Sequence, residues 1–405
     1  MSGRSIKVPE PGLTPEAMLA RAREMRTVLR ERQPECERAA RILPATQKQF
    51  VDAGFYRIMQ PRRFGGYEFD VPTFHRVMIE IARGCPSSGW VLALTAGHPL
   101  ILARFEERAQ IEAYGADGEF RAPASGAPAL ARRDGDGYKV TGFWDYASGC
   151  DIGTHFLGPG MLQGAEGEPP RLILLLLYPK DYAIVDNWQM FAMQGTGSKR
   201  IAIENEIFVP DYRTLPSGLL DAPAQGNRIE GLDNPLYHGR IASFLVGESA
   251  AVVVGTARGA IDVYEDILAK KPTSFPPLAL RSRNYEHQEY LGRAHALVET
   301  AEAALLKFSD DYTSLCASAM RDASAFSDEA ERAFILRLQQ SINLCWEAVD
   351  LLFATSGTSS GRVDSMLGRY FRDLAVMRTH IVLQHARTAT NFGQLRMGQP
   401  PLTPL

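Results

Sequence analysis

Gly142-Phe143-Trp144-Asp145-Tyr146-Ala147-Ser148-Gly149-Cys150-Asp151 is the stretch on which the fold turns. It continues a strand that begins after the turn signal Asp134-Gly135-Asp136-Gly137, and it ends in small and hydroxyl-bearing residues. Two more stretches in the same region have that make-up: Ala122-Pro123-Ala124-Ser125-Gly126-Ala127 and Gly195-Thr196-Gly197-Ser198-Lys199. Any one of them alone reads as a turn. Together they could lie against a flat ring and hydrogen-bond its edge.

Around them the texture is that of strands. Residues 172–178 form a continuous apolar run of buried-strand length. Ile201, Ile203 and Ile207 are spaced for a strand whose alternation breaks near Asn205. We place a middle β domain, a barrel or sandwich, at 119–225. Before it, Thr14-Pro15-Glu16 offers a capping hydroxyl, a first-turn proline and an acid, and Met18, Ala22, Met25 and Leu29 follow at helical spacing. Further helices are expected over 44–53, 72–83 and 87–96, giving an N-terminal helical domain at 1–118. After the β domain, 238–269, 280–308, 327–355 and 368–391 read as four long helices, a C-terminal four-helix bundle within 226–405. The class is α+β, mainly α.

Composition excludes several functions. The chain of 405 residues is 45% hydrophobic and 22% charged, which suits a globular protein with a large core. A net charge of −3 gives no electrostatic case for nucleic acid or an anionic membrane. The apolar run 172–178 is too short to span a bilayer, and 241–257 contains Glu248 and falls short of about 20 residues. The first residues lack a signal-peptide core. The five cysteines are scattered and form no C-x-x-C pair, so they are expected to be reduced thiols in a cytoplasmic protein.

Familiar catalytic signatures fail on context. Gly357-Thr358-Ser359-Ser360-Gly361 matches G-x-S-x-G by letter, but a long helix precedes it where a nucleophile elbow needs a strand. His380 and His385, placed on one helix, would lie too far apart round it to share a metal. No metal-ligand, dinucleotide or phosphate-loop pattern appears, and no metal is expected.

The helix–sheet–helix order, the strand quoted above, Phe64-Gly65-Gly66-Tyr67 and the late Arg369-Tyr370-Phe371-Arg372-Asp373 resemble the acyl-CoA dehydrogenase fold. In that fold the middle strand flanks a flavin ring. The resemblance implies ring packing by Phe143 and Trp144, cofactor contacts from Ser148, Thr196 and Ser198, and contact of Gly357 and Thr358 with a neighbouring subunit's flavin. A dehydrogenase of this family needs a carboxylate to take a proton beside the thioester carbonyl. Here the corresponding region reads Met377-Arg378-Thr379-His380, and no Asp or Glu follows Asp373. Glu248 could serve as a displaced base.

The pattern is instead similar to the family's oxygenase branch, the two-component flavin-dependent monooxygenases. The matching features are Trp144 to Asp151, Gly195 to Lys199, and Ser88-Gly89-Trp90 followed by His98. The resemblance implies reduced FMN or FAD delivered by a separate NAD(P)H-dependent reductase, O2, and a flavin C4a-hydroperoxide that hydroxylates a small aromatic or heteroaromatic substrate. It puts Ser148 at flavin N5, His380 near the peroxide and His98 toward the substrate. Ser125 and Trp90 are further substrate contacts. Arg240, near a helix start, is a candidate for binding a substrate carboxylate or a flavin phosphate. A homotetramer or homodimer is expected. Blander assignments stand beside these: His98 as a helix C-cap, His380 as an ordinary bundle histidine, Cys150 as packing, and Arg372-Asp373 as a structural ion pair. Two other functions remain open, an acyl-CoA dehydrogenase and a catalytically silent flavin-fold binding subunit.

Overall fold

Ile173 to Leu177 is apolar without interruption because both faces of its strand are covered. The computed structural model, which describes residues 5–163, 170–216, 218 and 233–400, shows how. Ile173, Leu175 and Leu177 point into a small core inside the sheet, with Val140, Trp144, Phe156 and Ile201. Leu174 and Leu176 point the other way, into the core of the helices.

The N-terminal helices are α1 (Pro15–Ala39), α2 (Pro44–Asp52), α3 (Val71–Gly84), α4 (Pro86–Gly97), α5 (Pro99–Leu102) and α6 (Glu107–Tyr114). Their starts follow local chemistry. The Thr14 hydroxyl caps α1 through Ala17 N–H at 3.2 Å, and the Asp70 carboxylate caps α3 through Thr73 N–H at 2.9 Å, each with proline in the first turn.

The strands are β1 (Ala129–Asp134), β2 (Gly137–Ala147), β3 (Phe156–Leu162), β4 (Arg171–Leu177), β5 (Ala183–Val185), β6 (Lys199–Pro210) and β7 (Thr214–Pro216). They form one seven-stranded sheet in the order β5-β6-β2-β1-β3-β4-β7, antiparallel except for β1 with β3. The β1–β2 hairpin turns at Gly135, whose φ of 56° is left-handed. Between Trp144 and Ala147 the β2–β6 register slips, and Tyr146 sits at φ 62°. This bulge turns the chain out of the strand just before Ser148.

The C-terminal helices are α7 (Ile241–Lys270), α8 (Tyr285–Ala319), α9 (Asp328–Ser356), α10 (Met366–Met377) and α11 (His385–Arg396). Helix α7 is long and apolar enough to cross a membrane, yet 89% of its most apolar window is buried inside the protein. It is the shared core helix, packed on α3, α4, α8 and α9. The two helical regions, far apart in sequence, therefore share one core. The boundary expected at 225/226 lies outside the described residues.

The expected fourth bundle helix, 368–391, is two helices. Helix α10 ends at Met377, and a short turn at Ile381–Leu383 precedes α11. The side chain of Gln339 on α9 holds that turn by donating to Val382 O at 3.0 Å. His380 and His385 thus share no helix, and His380 lies in the link.

Candidate functional site: a hydroxyl chain beneath two histidines

Ser148, Thr196 and Ser198 come from different strands' ends and meet. Ser148 leaves the β2 bulge, and its neighbour Gly149 donates its N–H to Thr196 O at 2.8 Å. Ser148 Oγ lies 2.8 Å from Ser198 Oγ, which lies 2.6 Å from Thr196 Oγ1, which lies 2.8 Å from Met193 O. The carbonyl can only accept, so Thr196 must donate to it. Ser198 then donates to Thr196, and Ser148 donates to Ser198. Each proton points inward along the chain. Ser148 Oγ is left as a hydrogen-bond acceptor at the head of it.

Helix α4 closes over this turn. Gly149 has φ 79°, and a side chain there would collide with Val91. The next residue along α4, Trp90, meets the edge of the His380 ring at a centroid distance of 5.6 Å. His380 is exposed in the single chain. The apolar surroundings on its Trp90 side push its pKa below the ordinary imidazole value.

His98 follows α4 and is buried. Its Nδ1 lies 2.6 Å from Ala122 O. A carbonyl partner fixes the proton on Nδ1 and leaves Nε2 as a lone-pair acceptor. Burial lowers its pKa to about 4, so the ring is neutral. Its Nε2 faces Glu248 Oε1 at 3.8 Å. Glu248 is fully buried, and neither carboxyl oxygen has a hydrogen-bond partner among the described residues. Burial raises its pKa well above the usual carboxylate range. A side chain at Gly97 would run into that carboxyl. Ser125, three residues past the carbonyl that holds His98, donates to Asp145 O in the bulge at 2.7 Å. That bond ties the 122–125 segment to the strand that delivers Ser148.

The other residues singled out in the sequence lie apart from the hydroxyl chain. Trp144 is fully buried inside the sheet and donates its indole N–H to Pro159 O at 2.9 Å, so it supports the bulge from behind. Phe143 is on the outer face, half exposed, under the Arg200 guanidinium at 3.9 Å. Gly357 ends α9 at φ 91°, next to Arg281, and Thr358 opens the short turn after it. Arg240 caps α7, and its guanidinium is held by Glu331, by Asp328 at 3.1 Å and by Phe326 O at 3.3 Å. It is buried as a structural ion pair, so it drops out of the site.

One residue gains a partner other than the one expected from the sequence. Arg372 does not pair with Asp373. Arg372 reaches Phe191 O and Glu37, while Asp373 accepts the N–H of Met193 at 2.6 Å. The signal was present in the spacing. Leu367, Tyr370, Leu374 and Met377 make the buried stripe of α10, and Asp373 falls on it. Glu248 likewise sits in a helix that is apolar nearly all round.

A reduced flavin ring fits this donor set. Its N5 carries a hydrogen, and Ser148 Oγ is an acceptor with its own proton turned away. Exposed Tyr146 and Phe191 add aromatic surface beside the bulge and the 193–198 turn.

Residues 15–116 match the acyl-CoA dehydrogenase N-terminal domain, and residues 248–385 match the acyl-CoA dehydrogenase C-terminal domain. Together these take in more than half of the chain. The chain belongs to the acyl-CoA dehydrogenase family. Within it, the chain is similar to the oxygenase subunit HsaA of a flavin-dependent monooxygenase from Rhodococcus jostii (strain RHA1), with 28% identity over 386 residues that cover 92% of this chain and 96% of the relative. It is also similar to the oxygenase component of an FADH(2)-dependent resorcinol hydroxylase from Rhizobium sp. (strain MTP-10005), 28% identical over 97% of each chain. The crystal structure of 3-HSA hydroxylase from Rhodococcus sp. RHA1 superposes with a TM-score of 0.85 at 26% identity, covering 96% of this chain and 98% of that one.

Proposed function

We propose that this chain is the oxygenase component of a two-component system, a reduced-flavin-dependent monooxygenase that hydroxylates a small aromatic or heteroaromatic molecule. The observation that carries the reading is the one-way hydroxyl chain ending in Ser148, set in a family whose similar members are oxygenase components. Reduced FMN or FAD, brought by an NAD(P)H-dependent reductase, supplies the electrons and the ring carbon at which O2 is activated.

The chain's own residues do the rest. Ser148 Oγ accepts the N5–H and holds that proton in place. Helix α4, with Trp90, keeps water from the ring. His98, its tautomer set by Ala122 O, keeps Nε2 as an acceptor that orients a phenol or indole N–H. His380, at the edge of Trp90, holds or returns a proton on the oxygen side. Ser125 fixes the segment that carries the substrate-facing wall. Gly357 and Thr358 act across a subunit contact in a homotetramer or homodimer.

The dehydrogenase reading asks Glu248 to be an ionised base. Burial opposes that, raising the Glu248 pKa well above the usual carboxylate range. The test is to bind reduced FMN or FAD anaerobically, admit O2 in the presence of phenols and indole, and measure hydroxylated product against hydrogen peroxide. Product formation supports the oxygenase. Bleaching of bound oxidised flavin by an acyl-CoA, with no product, would make it a dehydrogenase, and no flavin binding in either redox state would make it a binding subunit.

A further inference from the structure

A hydrogen-bonded path enters the hydroxyl chain from the C-terminal helices. Asp373 on α10 accepts Met193 N–H at 2.6 Å. The carbonyl of the same residue receives the Thr196 hydroxyl at 2.8 Å and the Thr196 N–H at 3.1 Å. From Thr196 the path continues through Ser198 to Ser148. The turn it crosses is not one the backbone prefers. Met193 is left-handed at φ 53° without being glycine, a conformation that persists only where the surroundings impose it. Gly197 follows at φ 52°, and Gly195 has no space for a side chain against Cys36 and Ser87.

Asp373 is nearly fully buried, and the two arginines on its own helix turn elsewhere. Arg369 donates to Glu37 at 2.9 Å, and Arg372 reaches Glu37 at 3.4 Å. The buried acid is therefore directed at one backbone N–H, in the turn that orients the hydroxyls. We propose that Asp373 is a positioning residue for the flavin-facing hydroxyls, holding the 193–198 turn so that Ser148 keeps its lone pair toward the ring. The inference rests on the reading of Ser148 given above.

It also has a pH signature. Burial, with Glu37 of α1 adding to it, pushes Asp373 up to about 7, while Arg372 and Arg369 oppose the shift; Cys36 on α1 and Cys85 at the start of α4 are the other titratable groups facing it. The ionised carboxylate is the stronger acceptor. The hold on Met193 tightens as pH rises through that value.

Two measurements on the full chain test this. The first is amide exchange of the peptide containing 193–198 in the protein without flavin. The second is the rate of hydrogen peroxide release after O2 is admitted to the complex with reduced FMN. For Asp373→Ala, exchange should quicken and peroxide release should rise, each by about 10-fold, the size expected for one lost charge-assisted hydrogen bond. Asp373→Asn keeps an acceptor oxygen and should stay within about 2-fold of the wild type on both, but without the inflection near pH 7 in peroxide release. A folded Asp373→Ala protein with unchanged exchange and unchanged peroxide release overturns the proposal. Should the alanine variant not fold, persistence of the pH inflection in Asp373→Asn overturns it. A wild type that binds no reduced flavin defeats the functional reading instead, and the exchange measurement still tests the hold on the turn.

Discussion

Ser148 is one hydroxyl whose value depends on where its proton goes. The chain through Ser198 and Thr196 to Met193 O fixes that proton inward. Ser148→Ala should therefore raise hydrogen peroxide release and lower product yield by about 10-fold, while reduced-flavin affinity changes less. Stopped-flow mixing with a peroxide assay checks it, and unchanged coupling would remove Ser148 from N5. The site's hydroxyls were legible from sequence because small and hydroxyl residues cluster in three stretches. The partners that direct them were not. His98 depends on the carbonyl of Ala122, and Asp373 on the N–H of Met193, and backbone groups carry no signature in a list of side chains.

The same residues set a pH dependence of stability. Asp373 has its folded pKa raised to about 7 from its ordinary value, and Glu248 is raised as well. Each favours the fold fully when protonated, below the ordinary carboxylate range, and that contribution is lost as pH rises through the folded pKa. His98, depressed to about 4, acts in the other direction: its contribution is present above about 6.5 and lost as pH falls toward 4. Asp373→Asn should thus gain stability relative to the wild type at pH 8, by up to a few kcal/mol, and gain little at pH 4. Thermal melts across that range test it, and a gain that is equal at both ends would contradict the assignment.

At the scale of elements, the apolar run of β4 and the capped starts of α1 and α9 were readable because they rest on local rules. Ser327, for example, caps α9 through Ala330 N–H at 3.2 Å, ahead of an acidic first turn. The break between α10 and α11 was not readable. Periodicity runs through it, and the link is held by Gln339 from another helix. Arg240 was misread for a related reason: a basic residue at a helix start looks available until its partner, Glu331, is brought in from α9. Arg240→Met removes its buried ion pair with Glu331 and should cost about 3–5 kcal/mol. Chemical denaturation would measure the loss. Retained stability together with a weakened substrate KM would return Arg240 to the site.

Across the whole molecule, the two helical regions share one core, and the sheet is sandwiched onto it through β4. This explains why the order of elements identified the family more firmly than any single motif did. One stretch of the surface brings several exposed apolar side chains near one another. Phe275, Leu278 and Val363 are 82%, 71% and 85% exposed, in the loop before Arg281 and just past the turn that Gly357 opens. Arg281 joins those segments by donating to Ser356 O at 2.6 Å, and Lys271 joins them through Ser359 at 2.8 Å. Such a patch fits the subunit contact proposed above. Phe275→Asp combined with Leu278→Asp should lower the assembly size in sedimentation velocity without unfolding the protomer; an unchanged sedimentation coefficient would place the contact elsewhere.

The central claim is that oxygen is transferred to an aromatic ring. The direct test is to supply anaerobically reduced FMN or FAD, add phenols and indole, admit 18O2, and analyse the products by mass spectrometry. The account predicts one 18O atom in a hydroxylated ring, with a smaller yield and more peroxide from Ser148→Ala. Absence of label from every aromatic compound, alongside reduction of bound oxidised flavin by an acyl-CoA, would contradict it.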